Sequence, residues 1–274
     1  MYKCIYFPDK EIATKEAMFK HLRENEKAII AIKKASIQKS CEKGGIESGL
    51  FLDKDISATK GIHLKDGFIY PVINTTLYRD SHKDVHLNGI WNKSQKEQNG
   101  KVYYVLNHKL EIGQIISWPE DVNVMVKSVP WSFLGKDYEG NTEALMFEIA
   151  KSNIKNATAK EIIDEKRPVQ GSISMQYITV FLAMNSKAKG DEVYLQRYND
   201  IIDTIANKEE VEEEGYFYGV GEAAIRNEGS MVVKGSNPIT PIKEKSDAGQ
   251  TTEEKQVHKE ADTVTSNFIH RRLI

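Results

Sequence analysis

From Phe68 onward the sequence is a succession of short apolar runs, at 68–73, 102–106, 112–116, 122–126, 173–183, 216–220 and 231–233. Runs of this length, rich in β-branched and aromatic residues and separated by polar or glycine-containing stretches, form strands more readily than helices. Many short strands with few long helices predict an α+β fold with a curved, mostly antiparallel β-barrel core and peripheral helices. Two helical segments are expected to interrupt the pattern. The first begins near Asn141, carries Leu145, Met146, Ile149 and Ile154, and is followed by a short helix opened by the capping-box pair Thr158 and Glu161. The second, over 191–207, sets Tyr194, Tyr198, Ile201, Ile202 and Ile205 on one side. The acidic run 209–214 reads as a solvated turn.

The remaining chain divides around this central region. Residues 1–40 read as a small α/β unit: a helix over 14–25 with Met18, Phe19 and Leu22 on one face, then a strand over 28–32. Residues 41–67 are a loop-rich connection broken by Gly44, Gly45, Gly49 and Gly61. The central domain spans 68–242. Residues 243–274 form a polar tail with too few large apolar side chains to bury a core, so disorder is expected there, ending in an amphipathic stretch from Phe268.

Composition narrows the function classes. A formal net charge of −2 supplies no basic field for grasping nucleic acid. The two cysteines, Cys4 and Cys41, make neither a zinc-ligand pattern nor a disulfide framework, which points to a reducing compartment. No segment approaches the ~20 apolar residues of a membrane span, and a soluble, cytoplasmic protein is expected.

Two segments carry candidate chemistry. The run 102–108 reads as a strand that ends in His108 and holds the imidazole rigidly, and the downstream segment 170–177 sets Ser172 and Ser174 among apolar β-formers. A serine hydroxyl is a poor nucleophile until a base takes its proton, and histidine suits that task near neutral pH. The pair therefore suggests a serine hydrolase, against the plainer reading of a structural histidine and a serine lining a barrel. Ser172 and Ser174 lie two residues apart on an expected strand and share a face, so orientation does not separate them. A competing constellation, Asp80, His82, Asp84 and His86, would share a face in an extended segment and could bind a divalent metal. Polar residues beside Gly89 are more often a surface turn, and no metallohydrolase motif such as His-Glu-x-x-His supports the metal reading.

The motifs in order are Asp80-Ser81-His82-Lys83-Asp84-Val85-His86 with Gly89-Ile90-Trp91-Asn92; the run ending in His108; Leu134-Gly135-Lys136-Asp137; Gln170-Gly171-Ser172-Ile173-Ser174; Ile205-Ala206-Asn207; and Glu228-Gly229-Ser230 leading to Asn237-Pro238-Ile239-Thr240-Pro241. Across 72–242 this series resembles the tailed-phage prohead serine proteases, capsid-maturation enzymes whose fold is similar to that of the herpesvirus assembly protease, and in particular a branch found in phages of Bacteroidetes-like hosts. The resemblance implies a serine endopeptidase that cuts scaffold and major capsid protein, and also itself, inside the procapsid in the host cytoplasm. It implies no cofactor, no metal, no membrane and no nucleic-acid partner, and leaves a homo-oligomer open.

The family's histidine falls on His108 and its serine on Ser172, where the family's Ser-x-Gly pattern has Ser174 in place of glycine. Ser174 therefore stays the alternative nucleophile. The acidic motif at Glu228 is the expected place of the residue that orients His108, with Asp84 and Glu111 as weaker candidates. The departure at Ser174 and the scaffold-like tail motivate a second reading, a catalytically inactive protease-fold scaffold or assembly chaperone of the phage head.

Overall fold

A computed structural model describes residues 2–4, 6–35 and 62–245 of the chain. Cys41, the glycines of the loop-rich connection up to Gly61, and the tail beyond Lys245 lie outside the described residues.

The N-terminal unit is a hairpin of β1 (Tyr2–Cys4) and β2 (Phe7–Ile12) followed by one long helix, α1 (Lys15–Ala35). Thr14 caps α1 by accepting from the Ala17 amide at 3.1 Å. The strand expected over 28–32 is instead part of this helix. Leu22, Ile29 and Lys33 are all fully buried, and their spacing of seven and then four residues continues one helical stripe. Ile32 is 47% exposed on the other side.

The central region contains β3 (Phe68–Thr75), β4 (Asp84–His86), α2 (Asn92–Gln98), β5 (Tyr103–Leu106), β6 (Ile115–Ser117), β7 (Asn123–Pro130) and β8 (Asn141–Ala150). It continues with α3 (Ala157–Asp164), β9 (Gln170–Met184), α4 (Glu192–Ile201), α5 (Lys208–Glu214), β10 (Tyr216–Val232) and β11 (Ile242–Glu244). The fold is mixed α+β. Its strands form open sheets, and no closed barrel is found among the described residues.

One sheet, in the order β11, β3, β8, β7, is antiparallel throughout. The other is organised by β10, which pairs antiparallel with β9 along most of its length and parallel with β4 and β5 in separate stretches. β6 extends it beyond β5.

The segment at 141–150, expected to be a helix, is the strand β8. Its side chains alternate between two clusters: Leu145, Phe147 and Ile149 join one, Ala144 and Met146 the other. A strand buried on both faces loses its polar–apolar alternation, and its continuous apolar run imitates a buried helix. Four smaller corrections follow. The short helix α3 is capped by Asn156, which accepts from the Ala159 amide at 3.0 Å, and not by Thr158. The helix expected over 191–207 ends at Ile201 and passes through a 3₁₀ turn at Ile202–Thr204. The acidic run 209–214 is helical, as α5, with Glu214 bridging Arg79 and Lys83. The expected tail begins later than residue 243, because Ile242–Glu244 pair with β3 and Lys243 is buried.

Two glycines, Gly171 on β9 and Gly229 on β10, allow close approaches near the start of β9. A Cβ on Gly171 would lie 1.9 Å from the Val72 carbonyl oxygen, so β9 crosses β3 there only without a side chain. A Cβ on Gly229 would meet the Phe147 ring at 2.5 Å.

Candidate active site

Three elements converge beside that crossing. Ser172 is opposite Ser230 in the β9–β10 ladder, and Gly229, Ser230 and Met231 pair with β5 on their other side. His108 lies two residues beyond the end of β5, in a turn and not on the strand itself. The turn is unusual: Asn107 and His108 both have left-handed backbones, with φ of 50° and 57°. It is fastened at two points. The Asn107 amide donates to the Met231 carbonyl at 2.9 Å, and the His108 amide donates to the Ser230 hydroxyl at 2.8 Å. Ser230 is itself fixed by donating to the Val105 carbonyl at 3.1 Å.

Glu228 reaches His108 through a β-bulge. From Ile225 to Gly229 the strand β10 takes four residues while β9 passes only from Met175 to Ile173, and Asn227 takes φ 66° within the irregularity. Such a bulge redirects a side chain out of the regular alternation.

The result is a continuous chain of hydrogen bonds. His108 Nδ1 lies 2.8 Å from Glu228 Oε1, and His108 Nε2 lies 2.9 Å from Ser172 Oγ. The glutamate accepts the Nδ1 proton, leaving Nε2 of the neutral ring to accept from the serine hydroxyl. Glu228 is 1% and Ser172 4% exposed, and Glu228 Oε2 is buried without a hydrogen-bond partner among the described residues. A buried carboxylate whose one bonded oxygen faces the ring holds that tautomer strongly.

The other expected residues are placed elsewhere. Ser174 is buried on the same strand, but it is the Ser172 hydroxyl that bonds to His108 Nε2. Glu111 is exposed at the start of a 3₁₀ turn. Asp84 belongs to a second polar chain. It pairs with the buried Lys33 ammonium and accepts from the Tyr177 hydroxyl at 2.8 Å. That hydroxyl also lies 3.2 Å from His86 Nε2, and His86 Nδ1 lies 3.1 Å from Asn74 Oδ1, which also accepts from the Trp91 indole at 3.1 Å.

The segment 80–86 is therefore not uniformly extended. Asp80 Oδ1 closes a turn by accepting from the amides of His82 and Asp84 at 2.9 and 3.0 Å. No group of three or more His, Cys, Asp or Glu side chains among the described residues is arranged to hold a metal. Burial lowers His86 to about 4, and so keeps it neutral. Burial, and next the charge of Asp84, push Asp80 up to about 8.

A small cleft opens beside Ser172. Ile73, Ile173 and Met175 give it apolar walls, and Asn74, His82, Tyr177, Ser236 and Asn237 add polar ones. Ser230 and the bulge at Asn227 were not foreseen from the sequence. The breaker-like Asn-Glu-Gly within an otherwise strand-forming stretch is the signal that marks such a bulge. No helix among the described residues is long and apolar enough to cross a membrane. No family model matches the chain, and neither a curated protein nor a solved structure gives a match.

Proposed function

We propose that the protein is a serine endopeptidase with Ser172 as nucleophile, His108 as general base and Glu228 as the residue that orients the imidazole. The observation that carries this reading is the continuous Glu228–His108–Ser172 hydrogen-bond chain, at 2.8 and 2.9 Å, beside an open cleft. Ser172 Oγ attacks a peptide carbonyl carbon as its proton passes to His108 Nε2. The new imidazolium keeps its Nδ1 proton bonded to Glu228. Collapse of the tetrahedral intermediate breaks the C–N bond, and Nε2–H supplies the proton to the departing amine. Water, deprotonated by the same nitrogen, then releases the acyl group from Ser172.

The finer reading rests on the motif resemblance: a prohead-protease-like fold acting on scaffold and capsid precursor during phage head maturation. The experiment is co-expression of the wild type or Ser172→Ala with the major capsid protein of the same phage, followed by intact mass of both chains. Shortened capsid protein only with the wild type is the expected result. Equal shortening with both variants overturns the assignment of Ser172. No shortening with either, while Ser172 still reacts with a fluorophosphonate, keeps the hydrolase and removes the capsid substrate.

A further inference from the structure

Lys33 is fully buried at the end of the apolar stripe of α1, a position at which an unpaired ammonium would be severely penalised. Its ammonium pairs with Asp84 and lies 4.9 and 4.5 Å from the ring centroids of Tyr6 and Tyr218. It also donates to the His82 carbonyl oxygen at 3.3 Å. Asp84, held by Lys33, accepts from the Tyr177 hydroxyl at 2.8 Å, and both His82 and Tyr177 line the cleft beside Ser172. One side chain of the N-terminal unit is thus joined to two cleft-lining residues, on a turn and on β9. Gln176, next to Tyr177, reaches back to the Lys34 carbonyl at 3.1 Å, a second tie between α1 and the same part of β9.

We propose that Lys33 is a positioning residue for the substrate cleft, so that α1 is a structural part of the surface that receives the polypeptide substrate. The proposal rests on the endopeptidase reading. Lys33 touches neither Ser172, His108 nor Glu228 through any of these bonds, so its loss should spare the reactivity of the serine and weaken the hold on an extended substrate. A residue that only stabilises the fold would lower the melting temperature and leave the binding of substrate by folded molecules unchanged.

The test uses the full chain as wild type, Lys33→Met, Lys33→Arg and the double variant Lys33→Met with Asp84→Asn. The double variant removes both charges and keeps the protein assayable should the single substitution leave Asp84 stranded. Two probes are used: a small alkyl fluorophosphonate, which needs only the serine and its base, and a degenerate decapeptide pool whose cleavage is read from new termini. The expected result for Lys33→Met and the double variant is a rise in KM for the peptides of about tenfold with kcat little changed. Labelling of Ser172 should stay within about threefold of the wild type. Lys33→Arg, which keeps the charge, should recover much of the peptide affinity.

Hydrogen exchange gives a readout that does not depend on activity. The amides of 80–86 should exchange faster in Lys33→Met, while those of 104–108 should not. Unchanged KM with a lowered melting temperature, or exchange that rises equally in both segments, overturns the proposal. A wild type that does not label at Ser172 defeats the endopeptidase reading itself, and the exchange pattern then reports separately whether Lys33 holds the turn.

Discussion

His108 and His86 occupy similar arrangements with opposite outcomes. Each imidazole is held between two oxygen partners: His108 between Glu228 and Ser172, His86 between Asn74 and Tyr177. The His86 chain continues on both sides into other buried groups, since Asn74 also takes the Trp91 indole and Tyr177 leads to Asp84 and Lys33, and Asn74 and Tyr177 themselves border the cleft. The His108 chain ends at a serine on the wall of a cleft. Its one acidic member keeps an oxygen without a partner among the described residues, and His108 has a left-handed backbone, uncommon outside glycine. A fully satisfied network specifies packing; one that ends at a cleft-lining hydroxyl is arranged for chemistry.

The sharpest way to break this comparison is to remove the polar partner behind each ring. Glu228→Gln keeps the size of the side chain but can no longer hold the imidazolium, so turnover of a peptide substrate should fall about 10³-fold or more with the fold retained by circular dichroism. Asn74→Ala, the matching change behind His86, should cost stability and leave the labelling rate of Ser172 close to that of the wild type. Equal losses of turnover at the two positions would dissolve the distinction.

Removing the His86 ring itself should be the next largest effect. His86→Ala opens a cavity and strips partners from Asn74 and Tyr177, at a cost of about 3 kcal/mol in urea unfolding. For His108 the informative change is to glutamine, because alanine would leave Glu228 buried with neither oxygen bonded.

A third contrast is in pH. Asp80 moves from 3.8 to about 8 on folding, so the folded state holds the extra proton in that window and stability falls as pH rises through it. His86 moves the other way, from 6.5 to about 4, and destabilises only as pH falls below 6.5. Between pH 6.5 and 8 the wild type should therefore lose stability through Asp80, and Asp80→Asn should lose much less. Parallel urea-stability profiles for the two proteins across that interval would remove Asp80 as the source.

The smallest predicted effect concerns the pin under the His108 turn. Ser230→Ala deletes the acceptor for the His108 amide, and turnover should drop about tenfold with KM unchanged. Ser230→Thr, which restores a hydroxyl, should recover part of the rate.

Much of the candidate site was legible because its parts are local in sequence. An apolar run leading to His108 and serines embedded in β-formers both announce themselves by residue type. The convergence of Glu228 on the ring was reached only through the motif resemblance, since a bulge with Asn227 in a left-handed conformation is a tertiary detail. The fold was read less well where burial overrode periodicity. β8 faces a core on both sides and lost its alternation, while Ile29 sits in a β-branched neighbourhood that the long apolar stripe of α1 nevertheless holds as helix. Lys33 gave no signal at all, because a lysine on an amphipathic helix is ordinarily solvated.

The most direct measurement is peptide mapping by mass spectrometry after reaction of the folded protein with a fluorophosphonate. A single adduct on Ser172, retained in Ser174→Ala and lost in His108→Gln, is the predicted result. An adduct on Ser174, or no adduct on the folded wild type, would contradict the assignment of Ser172 as a nucleophile activated by His108.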